Sequence, residues 1–445
     1  MTDAVRRRAG TCRERDLVTG LEVWGGVECT MLQVNGEWRD QLHETGHAQR
    51  VKDLDLIAAL GITRLRYPVL WEKVAPRSLE DMDWSWSDAR LARLRELGIA
   101  PIVGLVHHGS GPDYTSLLDP LFPEKLAEYA GHAARRYPWV QDWTPVNEPL
   151  TTARFSGLYG LWHPHGRDMR SFLTALVNEC RGTVLAMRAI RRVCPGARLI
   201  QTEDLGRVFS TPPLAAQAEH ENQRRWLSLD LLCGRVDSSH PWHDLMLSEG
   251  IAHEQLDQFV AEPCIPDVIG INHYVTSDRF LDHRAKIYPP HVPRGRYVDV
   301  EAVRVPLPEG YETGAEARLR EAWERYRLPT AVTEAHLGCM EPEESVRWLL
   351  EVWNAAARLR REGADLRAVT VWSLFGAVDW CSLLQRRDNA YEAGVFDARH
   401  DPPRPTPLAK AVRALATTGG FAHPVVEQPG WWRRPDRFVV QRRPA

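Results

Sequence analysis

The chain has 445 residues, enough for one large core, and its 56 Lys plus Arg nearly balance 59 Asp plus Glu. That balance gives no electrostatic case for nucleic acid or an anionic membrane as a partner. No apolar run approaches the ~20 residues of a membrane span, and Met1 to Arg15 lacks the apolar centre of a secretory signal. The eight cysteines contain no Cys-x-x-Cys pair, so a cytoplasmic protein with reduced thiols is expected.

Residues 1–20 read as a polar arm. From Leu21 onward, short apolar extended runs alternate with helical ones. The extended runs are Leu21–Glu28, Ile62–Trp71, Ala100–His108, Val140–Glu148, Ala197–Asp204, Pro266–Tyr274, Leu328–Glu334 and Leu366–Leu374. They lack strict polar alternation and read as strands buried on both faces. Helical patterns cover Gln49–Leu60, Trp86–Leu97, Pro123–Tyr137, Met169–Val193, Gln223–Cys233, Ala315–Tyr326, Glu343–Arg361 and Leu408–Leu415. In Glu343–Arg361, residues Val346, Leu349, Leu350, Trp353 and Ala357 share one face. Gly61, Gly98, Gly196 and Gly363 stand where helices would stop.

Eight strand–helix repeats predict an α/β fold, a single (β/α)8 TIM barrel over 21–420. An open doubly wound sheet is disfavoured because Trp24-Gly25-Gly26-Val27 leads into Glu28-Cys29-Thr30 rather than a Gly-rich phosphate loop. The segments Thr211–Glu221, Pro241–Glu262 and Ser277–Gly314 exceed ordinary connections and are expected as long loops at the barrel mouth. The tail 421–445, with Trp431-Trp432-Arg433-Arg434, reads either as a strap over the barrel or as a docking site for a protein partner.

Two glutamates close extended runs in similar settings. Glu148 stands before Pro149, which disfavours helical geometry at the residue preceding it, and Glu334 ends Leu328–Glu334. In a parallel barrel such positions carry reacting groups. Paired carboxyls about 5–5.5 Å apart are what retaining glycosidic cleavage requires. The 17 tryptophans offer flat apolar faces for sugar C–H groups, although most tryptophans serve cores.

The order of motifs resembles that of the family 1 glycoside hydrolases, retaining β-glycosidases on a (β/α)8 barrel. Trp24-Gly25-Gly26-Val27 through Gln33-Val34-Asn35-Gly36 is similar to the family's W-G-x-A/V…Q-x-E-G opening. Arg64-Leu65-Arg66-Tyr67 with Trp71, and Leu105-Val106-His107, resemble its second- and third-strand motifs. Thr144-Pro145-Val146-Asn147-Glu148-Pro149 resembles T-x-N-E-P, and His163-Pro164-His165-Gly166-Arg167-Asp168 resembles H-A-P-G-x-R-D. Gly270-Ile271-Asn272-His273-Tyr274 is similar to G-x-N-Y-Y, Thr333-Glu334 to T-E-N-G, and Trp372-Ser373-Leu374…Asp379-Trp380 to W-S-L…E-W. The chain is also similar to family-1-like domains that precede a sugar-nucleotide reductase domain in some bacterial proteins.

The resemblance implies Glu148 as general acid/base and Glu334 as nucleophile, with Arg66 beneath Glu334, Tyr274 orienting it, and Asn147 on the sugar 2-hydroxyl. It places Gln33, His107, Asp379 and Trp380 in the glycone pocket, Trp372 as its floor, and Asn272 as either a structural or a substrate-binding residue. For His107 and Trp372 the alternative to a sugar contact is a buried structural role. His108, Ala335, His336 and Asp379 depart from the family pattern. Glu203 and Asp204 are either substrate contacts or surface groups. His107, His108, His163, His165, His273 and His336 match no local metal motif, so no metal or cofactor is expected. The expected substrate is a small glycoside or oligosaccharide. Two alternatives remain open: a catalytically weak carbohydrate-binding module in polysaccharide assembly, and a transglycosidase.

Overall fold

A computed structural model describes residues 20–338 and 341–440. The polar arm, apart from Gly20, and the basic end Gln441–Ala445 lie outside the described residues. Each of the eight extended runs forms a parallel strand: β1 (Glu22–Gly26), β2 (Arg64–Pro68), β3 (Ala100–His107), β4 (Asp142–Asn147), β5 (Arg198–Asp204), β6 (Val268–His273), β7 (Thr330–Ala335) and β8 (Leu366–Val371). Neighbours in sequence pair with one another, and β8 pairs with β1, closing the barrel. Strands β4, β6 and β7 are buried at every position, as their unbroken apolar character implies.

The principal helices are α1 (Asp53–Ala58), α2 (Ser85–Glu96), α3 (Phe122–Arg136), α4 (Met169–Val193), α5 (Leu227–Leu232), α6 (Ala315–Tyr326), α7 (Pro342–Arg361) and α8 (Pro407–Thr418). The α7 stripe Val346, Leu349, Leu350, Trp353 and Ala357 is buried throughout. A separate cluster of Trp24, Ile102, Ile200, Val268, Ala331 and Ala368, drawn from six strands, fills the barrel interior. Gly98 and Gly363 end their helices with left-handed φ values of 69° and 102°, whereas Gly196 has no positive φ.

Several boundaries differ from the sequence reading. Trp71 opens a short helix, Trp71–Val74, because the strand already stops at Pro68. The helix expected over Gln223–Cys233 is two helices, Ala215–Arg224 and α5. Pro241–Glu262 is largely helical rather than an open loop. It carries helices His243–Ser248 and His253–Ala261 and packs outside α4, with Trp242 edge-on to Phe172 and Glu262 paired with Arg188. Ser277–Gly314 is not an irregular loop, since Arg279–Asp282 pairs with Val298–Glu301 and Val208–Ser210 in a small sheet.

The tail lies along α7. Trp432 is buried, with its indole N–H donating to Glu351 Oε2 at 2.7 Å, and Arg433 pairs with Glu351 at 2.7 Å. Arg434 pairs with Glu344, and Val440 joins the core of the small sheet. Among the described residues, no helix is long and apolar enough to cross a membrane.

Candidate active site

The site is built where β1, β2, β3, β4, β6, β7 and β8 end. Pro149 has the expected local effect: Glu148 leaves the right-handed helical region, and it adopts φ 45°, ψ 63°. This left-handed conformation is uncommon outside glycine, and such residues cost on the order of 1–3 kcal/mol unless their surroundings hold them. Here the Glu148 N–H donates to Thr202 O at 3.2 Å, and Pro149 starts the helix Pro149–Ala153. Glu334 needs no such turn, because β7 continues to Ala335. The two carboxyls are 3% and 2% exposed, so each must find its partners inside the protein.

Those partners form one network. Arg66 Nη1 donates to Glu334 Oε1 and to Thr333 O, both at 2.8 Å, while Nη2 donates to Asn147 Oδ1 at 2.7 Å. The Tyr274 hydroxyl donates to Glu334 Oε2. Asn272 lies opposite Glu334 in the β6–β7 register and donates to Glu148 Oε1 at 2.5 Å. Its own Oδ1 accepts from Thr333 Oγ1 at 2.7 Å. Gly270 makes this possible, since a Cβ there would stand 2.6 Å from that hydroxyl. Asn147 Oδ1 also accepts from Thr202 Oγ1 at 2.8 Å, and its amide nitrogen lies 3.3 Å from the Nε2 atoms of both His107 and His108.

On the opposite side, the Trp372 ring lies parallel to His107 with centroids 5.6 Å apart, and Arg66 stands 4.7 Å over the same indole. Gly26 lets the indole approach β1, because a Cβ there would be 2.4 Å from the ring. The Trp372 N–H donates to Glu28 Oε2 at 3.2 Å. His336 bridges Trp372 O at 3.1 Å and Glu392 Oε2 at 3.2 Å.

The electrostatics separate the two glutamates. Burial, followed by the charges of Glu334, Asp204 and Glu203, holds Glu148 well above the usual carboxylate range. Burial also raises Glu334, but Arg66, the Tyr274 hydroxyl and His336 pull it back. His107 is pushed well down by burial, then by His108 and Arg66, and His108 falls to about 3 through burial and then Arg66. Both imidazoles are therefore neutral hydrogen-bonding groups. Burial opposes a charge on His336, yet the bond to Glu392 raises its pKa.

Arg66, His107, Asn147, Glu148, Asn272, Tyr274, Glu334 and Trp372 thus come together. Gln33 does not. It lies on the hairpin strand Met31–Val34 and donates to Asp113 Oδ1 at 2.7 Å, beside a cavity of about 90 Å³ lined also by Trp38, Ser110 and His163. Asp379 is buried but committed: Arg39 donates to Oδ2 at 2.9 Å and the Ala390 N–H to Oδ1 at 2.8 Å. Trp380 packs against His108 and Trp162, with ring centroids 5.7 and 6.1 Å away.

Glu203 is a helix-capping group rather than a surface residue. It accepts from the N–H groups of Leu150 and Thr151 and from Ser228 Oγ, and burial leads the effects that raise its pKa to about 7. Asp204 accepts from Ser277 Oγ at 2.6 Å. His273 bonds to Leu205 O and stacks on Trp348. Among the described residues, no group of three or more His, Cys, Asp or Glu is arranged to hold a metal ion. Glu28 was missed by the sequence reading. Its signal was the one used for Glu148, a carboxylate just beyond the end of a buried strand.

No protein-family model matches the chain. β-Glucosidase 47 of Arabidopsis thaliana is 24% identical over 390 residues, covering 79% of this chain and 72% of that protein. β-Glucosidase A of Thermotoga maritima is 22% identical over 405 residues, covering 83% and 86%. Among solved structures, the family 1 β-glucosidase from Thermotoga maritima matches with a TM-score of 0.72 at 18% identity, covering 91% of this chain and 99% of that one. The complex of the Thermotoga maritima β-glucosidase with deoxynojirimycin matches equally well.

Proposed function

We infer that this chain, a divergent member of the family 1 glycoside hydrolases, is a β-glycosidase that cleaves its substrate by double displacement with retention. The observation that carries the reading is the unequal environment of two buried carboxyls at the ends of β4 and β7. Glu148 has no cation bonded to it and keeps its proton. Glu334 is held by Arg66 and Tyr274 and gives its proton up.

In the first step Glu334 attacks the anomeric carbon as Glu148 delivers its proton to the leaving oxygen, breaking the glycosidic bond and forming a glycosyl ester. Glu148, now ionised, takes a proton from water. That water displaces Glu334, releasing the sugar and restoring both carboxyls. Asn147 is oriented by Arg66 and Thr202 to meet the 2-hydroxyl, and Asn272 aims Glu148. His107 and Trp372 supply the glycone contacts. Gln33 and Asp379 are left outside this scheme because their polar atoms are engaged elsewhere.

The test is trapping with a 2-deoxy-2-fluoro β-glycoside followed by digestion. The label is expected on the peptide bearing Glu334. A label on any other peptide, or binding without labelling or turnover, overturns the assignment and favours a sugar-binding module.

A further inference from the structure

The end of β1 brings a third carboxyl into the site. Glu28 is 6% exposed, and its two hydrogen-bond donors are neutral: Thr30 N–H to Oε1 at 2.9 Å and the Trp372 indole to Oε2 at 3.2 Å. The imidazole Nε2 of His107 lies 3.9 Å from Oε1, but His107 is neutral. Among the described residues, no lysine or arginine pairs with Glu28, because the nearby Arg66 is committed to Glu334, Thr333 O and Asn147. Burial and the charge of Glu334 accordingly raise the Glu28 pKa. Among the described residues these donors use two of the roughly four acceptor directions of a carboxylate.

We propose that Glu28 is a specificity-determining residue, which meets the sugar held by Trp372 and His107 and selects β-glycosides whose glycone carries an amino group. A hydroxyl satisfies a carboxyl in either protonation state. His336 feels the charge of Glu28 but is bonded to Trp372 O and Glu392, so only an ammonium adds a positive charge bonded directly to Glu28, and a charge-assisted bond in a buried site is about twice as strong as a neutral one. A neutral glycone leaves Glu28 without that compensation, which is the kind of mismatch polar sites reject most strongly. The proposal rests on the retaining-glycosidase reading of this site.

The experiment compares kcat/KM at neutral pH for 4-nitrophenyl β-glucoside with its 2-, 3-, 4- and 6-amino-deoxy analogues. Calorimetric binding of the matching free sugars runs in parallel. One amino isomer is expected to exceed the parent by about tenfold or more, with Glu28→Gln reducing that ratio at least about tenfold. Glu28→Asp, which keeps the charge but shortens the reach, provides a second variant should the first not fold. Preference for the parent over every amino isomer overturns the proposal, as does a ratio that both variants leave unchanged. If no aryl glycoside is cleaved but an amino sugar binds preferentially through Glu28, the hydrolase reading fails and this assignment stands. Absence of both turnover and binding preference removes the assignment.

Discussion

The barrel mouth has two unlike halves. At the ends of β2, β4, β6 and β7, Arg66, Asn147, Glu148, Asn272, Tyr274 and Glu334 hold one another through direct hydrogen bonds. Around β1, β3 and β8, His107 and Trp372 stand in the site, whereas two other expected sugar ligands are bonded elsewhere. Gln33 donates to Asp113 from its hairpin, Asp379 is bound to Arg39, and Glu28 stands beside Trp372. The half proposed to carry the bond-breaking step keeps the expected pattern, while the half proposed to read the sugar departs from it. Chemistry at the anomeric carbon is common to many glycosides, whereas hydroxyl recognition is specific to one, so the two halves are free to diverge separately.

Arg66→Met attacks the bonded half and should have the largest effect. It removes the cation that favours ionised Glu334, so kcat/KM should fall by roughly 10²–10³-fold, the scale for a preorganised charge-stabilising donor. In the proposed mechanism activity requires Glu334 ionised and is lost as pH falls through its pKa. Losing Arg66 raises that pKa, so the acidic limb of the pH–rate profile must move to higher pH. The alkaline limb, governed by raised Glu148, should move less. An unmoved acidic limb would separate Arg66 from the nucleophile.

Asp379→Ala probes the other half through stability. Arg39 is buried and also held by Glu44 and two carbonyl groups. Removing one partner of a buried pair costs about 3–5 kcal/mol, an upper bound here because Glu44 remains. The denaturation midpoint should drop clearly while KM changes less than about threefold in the surviving folded enzyme. A selective rise in KM without loss of stability would return Asp379 to the sugar pocket. Gln33→Ala should do least, altering kcat/KM by less than about threefold, because its amide is bonded to Asp113 rather than to any group of the site. A drop of a hundredfold would show that the hairpin closes onto the substrate.

The barrel was legible because each buried strand is a short apolar run, and each run is followed by an amphipathic helix such as α7. The bonded half was legible too, since its residues sit within one or two positions of a strand end. Legibility failed where several residues of loop intervene. Gln33 and Asp379 follow their strands by seven and eight residues, and the path of the chain over that distance is set by hairpin pairing and by Arg39. The packing of Pro241–Glu262 on α4 was likewise decided by a distant contact, Trp242 on Phe172.

By itself, the order of residues determined eight repeats, their closure into one barrel, and two glutamates delivered to the same rim. Strand periodicity and pre-proline geometry are local, and a closed parallel barrel turns every strand end toward one face. Only the tertiary structure showed which groups surround each acid, which polar groups are already consumed, and that Glu28 shares the site. Those outcomes depend on burial and on partners up to hundreds of residues away, and neither is encoded in any local pattern.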